Sequence, residues 1–180
     1  MTFKNYNIQK VNVLIVDDDD HSRQLVKGIL RAFGVVDVRE ADNGADALRE
    51  LQTFDADIVF CDWQMTPIDG LEFTRLVRTS PDSPNPFVPI IMLTAHREFQ
   101  HVTTARDAGI NEYLIKPMTP KSLYARICAV IDFPRPFIRC TGYKGYFGPT
   151  RRRHDAEYNP DLDRRRMQPV EVERAALGFA

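Results

Sequence analysis

Short apolar runs alternate along most of this chain with longer stretches in which apolar residues return every three or four positions. Val11 to Val16 is the first run and reads as a strand. Leu25, Val26, Ile29, Leu30 and Phe33 then recur at helical spacing, and Gly34 supplies a C-terminal stop. Val35 to Val38 predict a second strand, and Ala45, Ala47, Leu48 and Leu51 a helix starting near Asn43. The run Ile58-Val59-Phe60-Cys61-Asp62 is the third strand, followed after Asp69-Gly70 by a helix from Leu71 to about Arg78. Ser80 to Pro86 is proline-rich and reads as a loop. A strand over Val88 to Thr94, a helix over Arg97 to Ala108 stopped by Gly109, and a strand over Asn111 to Ile115 follow. Thr119 is placed as an N-cap with Pro120 at the first helical position, opening a helix to about Ile131. Apolar runs this continuous belong in a sheet covered on both faces. Their alternation with helices predicts an α/β fold with a doubly wound five-stranded parallel sheet.

Composition changes this picture little. A length of 180 residues suits one domain with an extension or two small ones, and 43% hydrophobic residues suffice for a core. No apolar run reaches the length of a membrane span, and the polar start after Lys4 and Asn5 carries no signal-peptide pattern. Cys61, Cys128 and Cys140 show no metal-ligand spacing, which predicts a reducing, cytoplasmic compartment.

The ends of the predicted strands carry the candidate chemistry. The first runs into Asp17-Asp18-Asp19-Asp20, the third ends in Asp62, the fourth in Thr94, and the fifth in Lys116 before Pro117. In open α/β sheets ligands bind at the carboxyl ends of the strands. Neighbouring acidic strand ends repel one another unless a hard cation sits between them, and Mg²⁺ suits carboxylate and carbonyl oxygens. The set fits an aspartate that accepts a phosphoryl group. A carboxylate oxygen attacks phosphorus, the metal neutralises charge, and an ammonium and a hydroxyl hold the other phosphoryl oxygens. Each residue alone has a plainer reading: Asp62 as a loop cap, Asp19 and Asp20 as a helix cap, Thr94 and Lys116 as solvated strand ends.

The text VLIVDDDD, CDWQM, IDG, IIMLTA and YLIKP resembles the receiver domain of two-component response regulators, of the chemotaxis (CheY-like) type, over residues 10–133. The resemblance implies a flavodoxin-like fold with Asp62 as phosphoacceptor, Asp18 as principal metal ligand, Asp17 in support and the Gln64 carbonyl completing the Mg²⁺ site. It implies that Thr94 and Lys116 contact the phosphoryl group and that Tyr113 is the switch aromatic. A histidine kinase or phosphotransfer protein would be the phosphoryl source, and the protein a signalling protein rather than an enzyme. One departure is visible: Thr66 follows Met65 where the family has proline, and Pro67 comes next.

From Pro134 the apolar periodicity stops, and a mostly irregular, arginine-rich extension is expected over 134–180. It holds nine Arg and one Lys against six acids, about +4, so the remainder is about −5 of the total of −1. Guanidinium groups stack on aromatic faces and bond bidentately to phosphates and to the guanine O6/N7 edge, which Lys does poorly. Arg152 to Asp155 and Arg135 to Arg139 have spacings that resemble elements of cyclic di-GMP sites. The stretch GYFGPTRRR (145–153) resembles CheY-like proteins whose arginine-rich extension binds cyclic di-GMP and acts on the flagellar motor. That resemblance implies a ligand site among Arg135, Arg139, Arg151, Arg152, Arg153, Asp155, Tyr158, Arg164, Arg165 and Arg166, and a flagellar motor switch protein as partner. Two alternatives stay open: a basic tether to an acidic protein or membrane surface, and a nucleic-acid-binding arm, the less favoured of the ligand readings.

Overall fold

The computed structural model of the chain describes residues 6–95, 99–140, 146–150 and 170–172. Five strands, β1 (Val13–Val16), β2 (Val38–Ala41), β3 (Ile58–Asp62), β4 (Ile90–Thr94) and β5 (Glu112–Ile115), form one sheet in the order β2-β1-β3-β4-β5, every pair parallel. The helices are α1 (Asp20–Ala32), α2 (Gly44–Leu51), α3 (Gly70–Thr79), α4 (Phe99–Ala108) and α5 (Pro120–Asp132).

The period-two rule of a strand explains how both faces are filled. Val13, Ile15, Ile58, Phe60, Ile91 and Leu93 point to one side and pack with Val26, Ile29 and Leu30 of α1 and Leu123 and Ile127 of α5. Leu14, Val16, Val59, Cys61, Ile90 and Met92 point to the other, against α2, α3 and α4. Val26, Ile29 and Leu30 follow the i, i+3, i+4 pattern, and burying each such side chain contributes about 1.5–3 kcal/mol. Helix entries are capped as their sequences predict: Asn43 accepts from Ala45 and Asp46, and Thr119 with Ser122 forms a capping box ahead of Pro120.

One strand boundary is corrected. The second strand starts at Val38 rather than Val35, because Val35 is buried in the turn leaving α1 while Val36 is 75% exposed; the ladder with β1 begins at Val13↔Val38. The expected helix start at Arg97 lies outside the described residues, which enter α4 at Phe99.

The extension is not wholly irregular. Three short strands, β6 (Phe137–Cys140), β7 (Tyr146–Pro149) and β8 (Val170–Val172), form an antiparallel sheet with β6 in the middle. Each is only three or four residues long, and the pairing of β6 with β8 spans about thirty residues, so no local periodicity announces them. This sheet packs on the end of the main sheet where β4 and β5 begin. Phe87, Phe137 and Phe147 meet with ring centroids 5.0, 5.4 and 5.6 Å apart. Arg78, 3% exposed, donates from Nε to Gly109 O (3.0 Å), from Nη1 to Pro86 O (2.7 Å) and from Nη2 to Asn111 Oδ1 (3.0 Å), and lies 5.1 Å from the Phe137 ring centroid. Burial pulls its pKa down to about 9, with Tyr146 acting the other way, so the guanidinium is still charged at neutral pH.

Candidate functional site

The strand order reverses direction between β1 and β3, and this switch point is where an open sheet forms a crevice at its carboxyl edge. Asp17 follows β1 directly and Asp62 ends β3, so the parallel register sets the two carboxylates side by side. Asp17, Asp18 and Asp62 each offer a carboxylate oxygen within 4.8 Å of the others; Asp17 is 1% and Asp62 8% exposed, whereas Asp18 faces solvent.

Lys116, at the end of β5, reaches across β4 to bridge the two buried acids. Its Nζ is 2.8 Å from Asp17 Oδ2 and 2.5 Å from Asp62 Oδ1, and its backbone N–H donates to Thr94 O at 2.7 Å. Asp17 is held further by Asp19 N–H on Oδ1 (3.0 Å) and Ser22 Oγ on Oδ2 (2.6 Å), and Gln64 N–H donates to Asp62 Oδ2 (2.9 Å). Burial raises the pKa of Asp62 and the Asp17 charge adds to this, against the bond from Lys116. Burial would lower that of Lys116, but its bonds to Asp17 and Asp62 raise it. Three carboxylates against one ammonium leave a net deficit of positive charge, and the donors are hard oxygens. That combination fits Mg²⁺, which binds through one or two carboxylates and keeps several waters.

Thr94 is fully buried at the tip of β4, in line with Asp62 and Lys116, and Tyr113 on β5 is half-buried against the face covered by α2, α3 and α4. The structure thus brings Asp17, Asp18, Asp62, Gln64, Thr94 and Lys116 to one end of the sheet. Three contributors were not foreseen from the sequence. Ser22 braces Asp17 as above. Arg23 donates to the Asp17 main-chain carbonyl at 2.7 Å while pairing with Asp20 and Asp42, each at 3.1 Å. Gly70 opens α3 against β3, and a Cβ there would lie 2.1 Å from the Asp62 carbonyl oxygen. The Asp20–Arg23 spacing, one helical turn after the acids, was the available signal for Arg23. The departure at Thr66-Pro67 places a cis peptide bond in the loop after β3.

Of the residues expected to hold cyclic di-GMP, Arg135 and Arg139 are described. Arg135 sends Nη1 to Thr150 O (3.1 Å) and Nη2 to Ile110 O (3.1 Å) and Asn111 O. Arg139 is exposed on β6, 5.5 Å from the Phe147 ring centroid. Arg151, Arg152, Arg153, Asp155, Tyr158, Arg164, Arg165 and Arg166 lie outside the described residues.

Comparison with known proteins agrees with the strand-end geometry. The family model for the response regulator receiver domain matches residues 13–128, ending before β6. Chemotaxis protein CheY1 of Helicobacter pylori is 35% identical over 122 residues, covering 67% of this chain and 97% of its own. Chemotaxis protein CheY-3 of Vibrio cholerae is 32% identical over 124 residues, covering 69% and 94%. Among solved structures, Vibrio cholerae CheY4 superposes with a TM-score of 0.61 at 31% identity, covering 67% of this chain and 98% of that one. A putative response regulator from Chloroflexus aurantiacus gives 0.62 at 32% identity, covering 68% and 99%.

Proposed function

The chain belongs to the response regulator receiver domain family, and from that premise we propose that it is a phosphorylation-controlled signalling protein whose extension binds cyclic di-GMP. The observation that carries the first half is the constellation at the strand tips. A carboxylate oxygen of Asp62 attacks the phosphorus of a phosphohistidine on a kinase or phosphotransfer protein. The P–N bond breaks and the imidazole nitrogen keeps the electron pair. Asp18, Asp62 and the Gln64 carbonyl, with Asp17 in support, would hold Mg²⁺, which would supply positive charge against the negative charge developing on the phosphoryl oxygens. Lys116 exchanges its bond to Asp62 for one to a phosphoryl oxygen, and the Thr94 hydroxyl donates to another. Tyr113, on the neighbouring strand, reads the change out toward the α4–β5–α5 face, where a partner such as a flagellar motor switch protein docks. Asp62→Asn removes phosphoryl incorporation from a small phosphodonor while the fold survives; labelling equal to the wild type refutes the assignment.

The second half rests on composition and placement together. Nine arginines lie in residues 134–180, and the strands flanking Arg151–Arg166 are folded onto the receiver. Arg151–Arg153, Asp155, Tyr158 and Arg164–Arg166 supply base stacking, guanine reading and phosphate contacts, and Arg139 stands on the adjoining strand. Arg135 already holds main-chain carbonyls of the receiver and so anchors the extension before it serves a ligand. Calorimetry with cyclic di-GMP, GTP and a short RNA tests this. Tight binding of the dinucleotide alone supports it, and binding of RNA alone makes the extension a nucleic-acid arm.

A further inference from the structure

Asp17 is the most enclosed of the three clustered acids, and its hydrogen bonds divide unevenly between its two oxygens. Oδ1 accepts from the Asp19 N–H alone, at 3.0 Å. Oδ2 accepts twice, from Lys116 Nζ at 2.8 Å and from the Ser22 hydroxyl at 2.6 Å. A carboxylate offers about four lone-pair sites, so Oδ2 is filled and one position is left on Oδ1. That position is what Asp17 offers a cation. The Ser22 contact has the length of a bond between a hydroxyl and an ionised carboxylate.

The two donors on Oδ2 have different duties. Lys116 is shared with Asp62, 2.5 Å from its Oδ1, and gives up that oxygen in phosphoryl transfer. A phosphoryl oxygen lies on the far side of phosphorus from the carboxylate oxygen that carries it, so Nζ draws away from Asp17 as it follows. Ser22 has no second task. Its hydroxyl carries one proton, Asp17 receives it, and the residue is fixed in the first turn of α1 behind the N-cap Asp19. The cost of losing Lys116 depends on that bond. A buried carboxylate oxygen that keeps one donor is still satisfied, whereas one left with none bears the full cost of desolvation. With Ser22 in place Asp17 Oδ2 stays bonded after Lys116 has moved. Without it that oxygen, in a residue 1% exposed, has no partner.

We propose that Ser22 is a positioning residue for phosphoryl transfer, whose hydroxyl holds the Asp17 carboxylate while Lys116 moves from the acids to the phosphoryl group. The proposal rests on the reading of Asp62 as phosphoacceptor. It gives Ser22 a large effect on the phosphorylated state and a small one on the resting state, because Lys116 satisfies Oδ2 whenever Asp62 is free. Cation binding is left nearly unchanged, since the open position of Asp17 lies on the other oxygen. Arg23 serves a different end. It donates to the Asp17 main-chain carbonyl and pairs with Asp20 and Asp42, which fixes the backbone and leaves the carboxylate alone.

The test titrates the full-length protein and its Ser22→Ala and Ser22→Thr variants with Mg²⁺ alone, then with beryllofluoride as a phosphoryl mimic at saturating Mg²⁺. Fluorescence of Trp63, next to Asp62, follows both. Alanine is a better helix former than serine, so Ser22→Ala folds. It is expected to bind Mg²⁺ within about twofold of the wild type and the mimic about tenfold or more weakly, the effect of one hydrogen bond to a charged group. Ser22→Thr keeps the hydroxyl and is expected to restore binding of the mimic. A merely structural role moves both affinities of Ser22→Ala together or moves neither, and either result overturns the proposal. Failure of Ser22→Thr to restore binding also overturns it, since the hydroxyl is then not the cause. A wild type that binds Mg²⁺ but neither the mimic nor a phosphoryl group refutes Asp62 as phosphoacceptor, and the role of Ser22 falls with it. Binding of the mimic by the wild type keeps the two questions apart.

Discussion

Phe87 offers a direct measure of whether the extension is part of the fold or a tether. It precedes β4 in the receiver, is 4% exposed, and owes that burial to Phe137, Phe147 and Val172 of the extension. In the full chain Phe87→Ala removes a buried ring from a three-ring cluster, a loss of about 3–5 kcal/mol, to which edge-on ring pairs add about 0.5–1.5 kcal/mol each. In a chain ending at Phe133 the same side chain has no extension to pack on, and substitutions at such surface positions stay within about 0.5 kcal/mol. The two costs should therefore differ by about 2 kcal/mol or more, a coupling energy in the sense of a double-mutant cycle. Urea denaturation of the four proteins reads it. With a slope of about 1–3 kcal/mol per M, Phe87→Ala moves the midpoint by about 1 M or more in the full chain and by a small fraction of that in the short one. The truncated receiver should still fold and bind Mg²⁺, but at a lower midpoint than the full chain. Equal costs of Phe87→Ala in the two backgrounds refute the docking of the extension.

Asp62 titrates with the opposite sign to a salt-bridged carboxylate. Burial raises its pKa, so the folded state takes the proton more readily than the unfolded chain, and its contribution to metal-free stability grows as pH falls through that raised value. Mg²⁺ affinity should weaken over the same window, beginning above the ordinary carboxylate range, as followed by fluorescence of Trp63, the single tryptophan and the neighbour of Asp62. For the same reason Asp62→Asn should raise the melting midpoint of the metal-free protein; a lower midpoint contradicts the assigned burial cost. Gly70→Ala puts a Cβ against backbone that cannot step aside, and a loss of about 1–3 kcal/mol with impaired phosphorylation is expected in melting and labelling experiments. Cys61 has no exposed surface and burial lifts its thiol pKa well above the usual value, so a maleimide should label Cys128 and Cys140 in the native protein but reach Cys61 only on unfolding.

The parallel sheet was legible because each strand is an uninterrupted apolar run bounded by a capped helix, so local pattern and tertiary role agree. The strand tips were legible for a related reason: a polar residue ending such a run has only the crevice to occupy, and Asp17, Asp62, Thr94 and Lys116 all do. Ser22, Arg23 and Gly70 were not, since bracing a carboxylate or allowing close backbone approach depends on which strand lies beside which. β2 was misplaced by three residues because Val35 and Val36 look alike in the sequence, while one is buried in a turn and the other is solvent-exposed. The extension misled most. Its strands are stabilised by Phe87 and Arg78, residues far away in the chain, and a segment that borrows its core from another element shows no periodicity of its own.

That borrowed core also decides how the two ends of the sheet can communicate. β4 and β5 run from Phe87 and Asn111, beside the extension, to Thr94 and Lys116, beside Asp62, and five residues of strand span about 17 Å. Across that distance two dianions in water interact by only about 1 kcal/mol. Screening over two Debye lengths at physiological salt reduces this to about a tenth. Charge alone therefore cannot link phosphorylation to dinucleotide binding by more than a small fraction. β4 is a poor lever, being buried on both faces and wholly without exposed surface. α4 is different: its C-terminal end and Gly109 meet β7, a Cβ on Gly148 would lie 3.0 Å from Gly109 Cα, and its N-terminal end follows the Thr94 loop. It is the helix that meets the extension at one end and follows Thr94 in the chain at the other. Any affinity change larger than about twofold, measured for cyclic di-GMP with and without a phosphoryl mimic on Asp62, must then pass through a shift of α4, and by linkage the dinucleotide changes the affinity for the mimic by the same factor.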